Sequence, residues 1–256
     1  MEEERLSPKK LRPFERIIFP LDLADPEQAI KYVRLLKDAV GVFKVGLELF
    51  TACGPEIVKR IQEEAPSQKI FLDIKFHDIP ETVKRAIRVC STLGVDFLTV
   101  HCSEGSRGLM AVAEAKGNIK VLGVTVLTSM SKDDLKEIGI DIELAEPEKL
   151  VLKRAELAKR AGLDGIVCSG LEVSKVKEKL GEDFLAVTPG IRLLDKTIPQ
   201  DDQKRIVTPF DAIVNGADYI VVGRPIRDAE EPRKIASLIA EEIQKAEKYR
   251  LTHKVH

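Results

Sequence analysis

Phe71-Leu-Asp-Ile-Lys-Phe-His-Asp-Ile-Pro-Glu-Thr-Val83 is a short strand pattern that runs directly into the start of a helix. Apolar residues surround Asp73 and Lys75, and Asp78-Ile-Pro80 supplies the helix-start signal. Residues two apart in a strand share a face, so the pattern puts Asp73 and Lys75 side by side on a face that is otherwise apolar. A carboxylate and an ammonium are costly there unless they are paired or have chemistry to do. One reading is a structural ion pair; the other is a reactive centre at the C-terminal end of a strand.

The same strand-then-helix unit repeats on both sides of this stretch. Strand patterns are expected over 17–21, 42–45, 69–74, 97–101, 120–126, 165–168, 184–187 and 219–222. Helical stripes fall between them: Ile79, Val83, Ala86, Ile87 and Cys90; then Leu150, Arg154, Leu157, Ala158 and Ala161; last Ile235, Leu238, Ile239 and Ile243. Eight such units in 256 residues predict an α/β protein, a single (β/α)8 TIM barrel spanning 1–256, with poorly ordered ends near 1–13 and 248–256. Connections 128–146 and 189–208 are long. Both follow barrel strands, so both belong at the rim where such barrels carry their chemistry.

Composition narrows the function classes. The chain is 44% hydrophobic with a net charge of -1, which gives no electrostatic case for nucleic-acid or anionic-membrane binding. No apolar run has membrane-span length, and the polar beginning has no signal-peptide core, so a cytoplasmic location is expected. Cys53, Cys90, Cys102 and Cys168 form no C-x-x-C pair. Cys90 lies in an apolar stripe, and packing is the expected role for Cys102 and Cys168 as well.

Polar residues close many of the strand patterns: Asp22, Lys44, Asp73 with Lys75, His101, Thr128 with Ser129, Arg192, and Gly223 with Arg224. Together they make one concave polar site. His101 reads equally well as a polar strand-end residue. Val221-Val-Gly-Arg224 has the form of a phosphate grip, in which glycine lets backbone N–H groups approach an anion and arginine adds a charged fork. Phosphate sites in barrels commonly follow the seventh and eighth strands. A helix start with a surface arginine is the bland alternative. Gln203, in the preceding long connection, adds a neutral donor for the same phosphate. Lys44 and Lys75 alternate with Asp22, Asp73 and Asp78, occupying the places where a divalent ion would neutralise the acids; no metal site is expected.

The full set resembles the bacterial type of the orotidine 5'-phosphate decarboxylase family. The matching pieces are Asp22, Lys44-Val-Gly, Asp73-Ile-Lys75-Phe-His-Asp78-Ile-Pro-x-Thr82, Val100-His101, Val124-Thr-Val-Leu-Thr-Ser129, Val187-Thr-Pro-Gly-Ile-Arg192, Asp202-Gln203 and Val222-Gly-Arg224. The segment between Arg192 and Gln203 is longer than the family pattern. The resemblance implies decarboxylation of orotidine 5'-monophosphate to uridine 5'-monophosphate in pyrimidine biosynthesis, with no metal or other cofactor. It implies Lys75, Asp73, Asp78 and Lys44 as the catalytic set. It assigns Asp22 and Lys44 to the ribose, Thr128 and Ser129 to the pyrimidine, and Arg192, Gln203, Gly223 and Arg224 to the phosphate side. It also implies a homodimer in which Asp78, Ile79 and Thr82 reach the neighbouring subunit's site. Two alternatives stand beside it: a magnesium-dependent sugar-phosphate decarboxylase or aldolase of the same barrel group, and a non-catalytic nucleotide-binding barrel.

Overall fold

In the computed structural model, which describes residues 11–193 and 205–253, the eight strands pair in parallel and in chain order, and the last closes onto the first. They are β1 (Ile17–Pro20), β2 (Val42–Gly46), β3 (Lys69–Phe76), β4 (Phe97–His101), β5 (Lys120–Val124), β6 (Gly165–Val167), β7 (Leu185–Thr188) and β8 (Tyr219–Val221). The helices are α1 (Pro26–Leu36), α2 (Leu47–Cys53), α3 (Glu56–Glu64), α4 (Pro80–Ser91), α5 (Gly105–Ala115), α6 (Lys132–Glu137), α7 (Pro147–Arg160), α8 (Val173–Leu180), α9 (Pro209–Val214), α10 (Arg224–Arg227) and α11 (Pro232–Thr252). This is the (β/α)8 barrel that the repeating pattern predicts.

Local chemistry sets the helix starts. Asp25 accepts from the Glu27 amide with Pro26 in the first turn of α1, and Thr208 accepts from the Asp211 amide with Pro209 in the first turn of α9. The stripe of α4 buries Val83, Ile87 and Cys90 against the barrel. The stripe of α11 differs from expectation: Leu238 is exposed, and the buried line is Ala236, Ile239, Ile243 and Ala246. The i, i+3, i+4 spacing holds, with alanines in two of the positions. That helix also continues through Thr252, past the point where loose chain was expected.

The core has two parts. One lies between barrel and helices and includes Phe19, Phe43, Leu72 and Leu98. The other fills the bore itself, where Ile18, Val42, Phe71, Phe97, Leu122, Val187 and Tyr219 pack together. Phe97 meets Phe71 and Tyr219 edge-on at 6.0 and 5.2 Å between ring centres. Lys69 closes this plug, its ammonium 3.3 Å from the Tyr219 hydroxyl. The bore above Phe71 is left to polar residues.

Candidate active site

A cavity of about 570 Å³ opens at the C-terminal end of the barrel, within the size range of small-molecule sites. Four charged side chains alternate along its wall. Lys44 Nζ lies 3.1 Å from Asp22 Oδ1 and 3.4 Å from Asp73 Oδ2, and Lys75 Nζ lies 2.9 Å from Asp73 Oδ1. Strand register brings them together: Lys44 is on β2, and Gly46 of that strand pairs with Asp73 on β3.

Burial makes the alternation necessary. The side chains of Lys44 and Asp73 are only 10% and 12% exposed. Removing an ion from water costs several kcal/mol, and opposite unit charges about 4 Å apart return about 4 kcal/mol at an effective dielectric of about 20. One partner roughly breaks even; the two inner members have two each. Burial acts most strongly on Asp73 and would raise its carboxyl, but Lys44 and Lys75 together hold it below the ordinary value. Burial would likewise lower the Lys44 ammonium, yet Asp73 and Asp22 raise it above its ordinary value. Both stay ionised at neutral pH.

Lys75 has a further property. It is the non-glycine residue with positive φ among those described, at 50°. The pairing of β3 with β4 shifts register between Leu72 and Phe76 at the same place. Asp73 and Lys75 therefore meet through an irregular strand end rather than through plain alternation. Such a left-handed conformation costs a non-glycine residue roughly 1–3 kcal/mol and persists only where surroundings impose it. Here Thr99 imposes it: its hydroxyl accepts from the Lys75 amide and donates to Asp73 Oδ1, both at 2.9 Å.

The opposite wall comes from the long connections. Thr128 and Ser129 line the cavity after β5, with Val124 and Val126 beneath them. Arg192, Gly223 and Arg224 line the side formed by the ends of β7 and β8. Arg192 donates to the Ile191 carbonyl at 2.8 Å. Gln203 lies outside the described residues. Asp78, Ile79 and Thr82 do not line this cavity; all three are exposed, Ile79 by 67%. The helix starts later than the sequence suggests, with Ile79 at its N-cap and Asp78 one residue before. Asp78 is nevertheless fixed, because its amide donates to the buried carboxylate of Glu104 at 2.9 Å.

His101 ends β4 outside the cavity lining, with its ring centre 5.4 Å from that of His77. Burial, then the nearby His77, Lys75 and Arg154, keep its imidazole below the ordinary value. Cys168 lines the cavity but is buried, and burial pushes its thiol far up, as burial pushes Cys102 to about 12. Neither is a thiolate near neutrality. The sequence reading missed Thr99 and Arg227. Arg227 lines the cavity beside Arg224, one helical turn later, a spacing that was the available signal.

Comparison with known proteins places this geometry among relatives. Residues 15–239 match the profile of the orotidine 5'-phosphate decarboxylase / HUMPS family. An orotidine 5'-phosphate decarboxylase from Desulfosudis oleivorans is 50% identical over 241 residues, covering 93% of this chain and 96% of that one. One from Nitrosospira multiformis is 45% identical over 231 residues, covering 90% and 94%. The crystal structure of the orotidine 5'-phosphate decarboxylase from Lactobacillus acidophilus superposes with a TM-score of 0.76 at 37% identity, covering 89% of this chain and 98% of that one.

Proposed function

The chain belongs to the orotidine 5'-phosphate decarboxylase / HUMPS family, and from that premise we propose that Lys75 is the proton donor of a decarboxylation carried out in the cavity described above. The enzyme is a carboxy-lyase that converts orotidine 5'-monophosphate to uridine 5'-monophosphate and carbon dioxide in pyrimidine biosynthesis. Breaking the bond between C6 and the carboxylate leaves an electron pair on C6, with no adjacent carbonyl to spread it. A fixed ammonium next to that carbon stabilises the developing charge before it donates the proton. The neutral amine then regains a proton from solvent.

The observation that carries this reading is the Asp22–Lys44–Asp73–Lys75 alternation on one cavity wall. It holds an ammonium ready without reorganisation, which is where electrostatic catalysis gains most. In this reading Asp73 lies beside the departing carboxylate and aims Lys75. Asp22 and Lys44 hold ribose hydroxyls, and Thr128 and Ser129 meet the pyrimidine. Arg192, Gln203, Gly223 and Arg224 take the phosphate, with Arg227 added to that side. Asp78, Ile79 and Thr82 serve the neighbouring site of a homodimer; their exposure outside their own cavity supports this. The reading also includes a cytoplasmic enzyme acting on a small nucleotide, without nucleic-acid or membrane partners and without a metal or cofactor. The near-balanced charge supports the lack of nucleic-acid or anionic-membrane partners, and among the described residues no helix is long and apolar enough to cross a membrane.

Turnover of orotidine 5'-monophosphate, followed at the ultraviolet band of the orotate ring, is the test. Steady loss of that band in excess chelator is expected. Binding of uridine 5'-monophosphate with no turnover would return the protein to a non-catalytic barrel. Turnover restored only by magnesium would sink the metal-free mechanism.

A further inference from the structure

A second buried ion pair lies on the rim, away from the four alternating charges. Arg205 Nη1 binds Glu172 Oε1, with the two side chains 11% and 4% exposed. Glu172 Oε2 and Arg205 Nε are buried without a hydrogen-bond partner among the described residues. Burial raises the Glu172 carboxyl above its ordinary value, and the nearby Arg205 offsets this only in part. A pair with orphaned atoms is a poor stabiliser, since apolar residues of similar shape commonly do as well or better. Its use therefore lies in what it holds.

Three segments of the rim converge on it. Glu172 stands at the N-cap of α8, after β6. Arg205 leads the chain back toward Val207, which pairs with Gly190 and Arg192 through backbone hydrogen bonds of 3.1 and 3.0 Å. Gly170 lets this return pack tightly, for a Cβ there would meet Val207 Cγ2 at 2.5 Å. The third segment follows β5. Arg205 Nη2 donates to the carbonyls of Val126 and Leu127, each at 3.4 Å. The Leu127 carbonyl also accepts from the Met130 amide at 3.0 Å, closing the turn that contains Thr128 and Ser129. The guanidinium thus grips the residue before that turn and the carbonyl that closes it.

We propose that Arg205, held by Glu172, is a positioning residue for the reaction: it fixes the Val126–Leu127 backbone and so sets Thr128 and Ser129 against the pyrimidine. This rests on the role of Thr128 and Ser129 given above. Arginine suits the task because its planar fork serves an acid and two carbonyls at once, which an ammonium cannot do with the same geometry.

The experiment is a set of folded variants assayed with orotidine 5'-monophosphate, with melting temperature measured alongside. Arg205→Met is expected to lower kcat/KM by about tenfold to a hundredfold, as displacement of a positioned group by about 1 Å does. Arg205→Lys restores little of it. In a Ser129→Ala background the same substitution is expected to lower kcat/KM less than about threefold, because residues acting through one another are not additive. Losses that multiply fully in the double variant, or a lowered melting temperature with unchanged kcat/KM, would overturn the assignment. If Arg205→Met does not fold, Glu172→Gln replaces it: a smaller loss, again absent with Ser129→Ala, is expected, and unchanged kcat/KM refutes the proposal. An inactive wild type would instead overturn the functional reading, and this proposal with it.

Discussion

The backbone amide of Lys75 donates to the side chain of Thr99 at 2.9 Å, and this bond spans the point where β3 and β4 lose regular pairing. The threonine is fully buried, so its hydroxyl has no contact with bulk solvent in this structure. Thr99→Val keeps the shape and removes the acceptor. It leaves a part-buried amide without its partner, at a cost of up to about 1–3 kcal/mol, and takes one hydrogen bond from Asp73. A fall in kcat of about tenfold to a hundredfold is expected, with KM little changed, because the lost contacts aim the proposed proton donor rather than hold substrate. Steady-state kinetics on the folded variant checks this; an unchanged kcat would remove Thr99 from the positioning of Lys75.

Gly46 leaves the space in which Asp22 and Lys44 meet. A Cβ there would sit 2.9 Å from Asp22 Oδ1 and 3.1 Å from Lys44 Nζ. The Asp22 side chain is half exposed and free to swing away, so Gly46→Ala is expected to spare the fold and break the alternation. Activity should drop by about tenfold or more while the melting temperature moves by only a few degrees. A large fall in melting temperature with normal kcat would show that Gly46 serves packing instead.

Lys75→Ala is expected to abolish measurable turnover and leave affinity for uridine 5'-monophosphate within a fewfold of wild type. The ammonium matters where charge develops at carbon, so its removal falls on the chemical step. Calorimetric binding of the product, set beside the turnover assay, separates the two effects. Near-normal turnover would take the proton-donor role from Lys75.

His101 makes stability depend on pH in a defined direction. Its imidazole is held below the ordinary value by burial first, then by His77, Lys75 and Arg154. The folded state favours the neutral ring. This contribution is present in full above the unfolded value of about 6.5 and is lost as pH falls through the lower folded value. Asp73 adds a loss in the same direction at lower pH, through its depressed carboxyl. Melting temperatures at pH 7 and pH 5 for wild type and His101→Gln provide the comparison. The wild type should lose more on acidification; equal losses would remove His101 as the cause.

Shared sites predict complementation. Asp78 is anchored through its amide to Glu104 but exposes its side chain away from its own cavity. Mixing inactive Lys75→Ala with inactive Asp78→Ala, under conditions of subunit exchange, gives mixed dimers with one doubly damaged site and one intact site. Activity should return to roughly a quarter of wild type for equal amounts and independent sites. No recovery after demonstrated exchange would confine Asp78 to its own subunit.

The barrel and most of its cavity wall were legible because they depend on local pattern. Strand runs ending in Asp22, Asp73 with Lys75, and Arg224 announce themselves within a few residues. The left-handed backbone of Lys75 was not legible, because alternation alone puts it on the correct face for the wrong reason. Thr99 was hidden for a related cause: a buried threonine in a strand reads as β-branched filler until the neighbouring strand supplies Asp73. Glu172 and Arg205 stand 33 positions apart and meet only through the closed order of β5, β6 and β7. The exposed Leu238 in α11 shows the converse, where periodicity marked a face too broadly and alanines took the close contacts.

The aromatic plug of Phe71, Phe97 and Tyr219 makes the barrel blind at one end. In the proposed reaction, carbon dioxide formed above Phe71 has no axial route beneath it through this packed plug. With the reaction placed in this cavity as proposed, the closed floor leaves the cavity mouth as the way out for carbon dioxide and nucleotide alike.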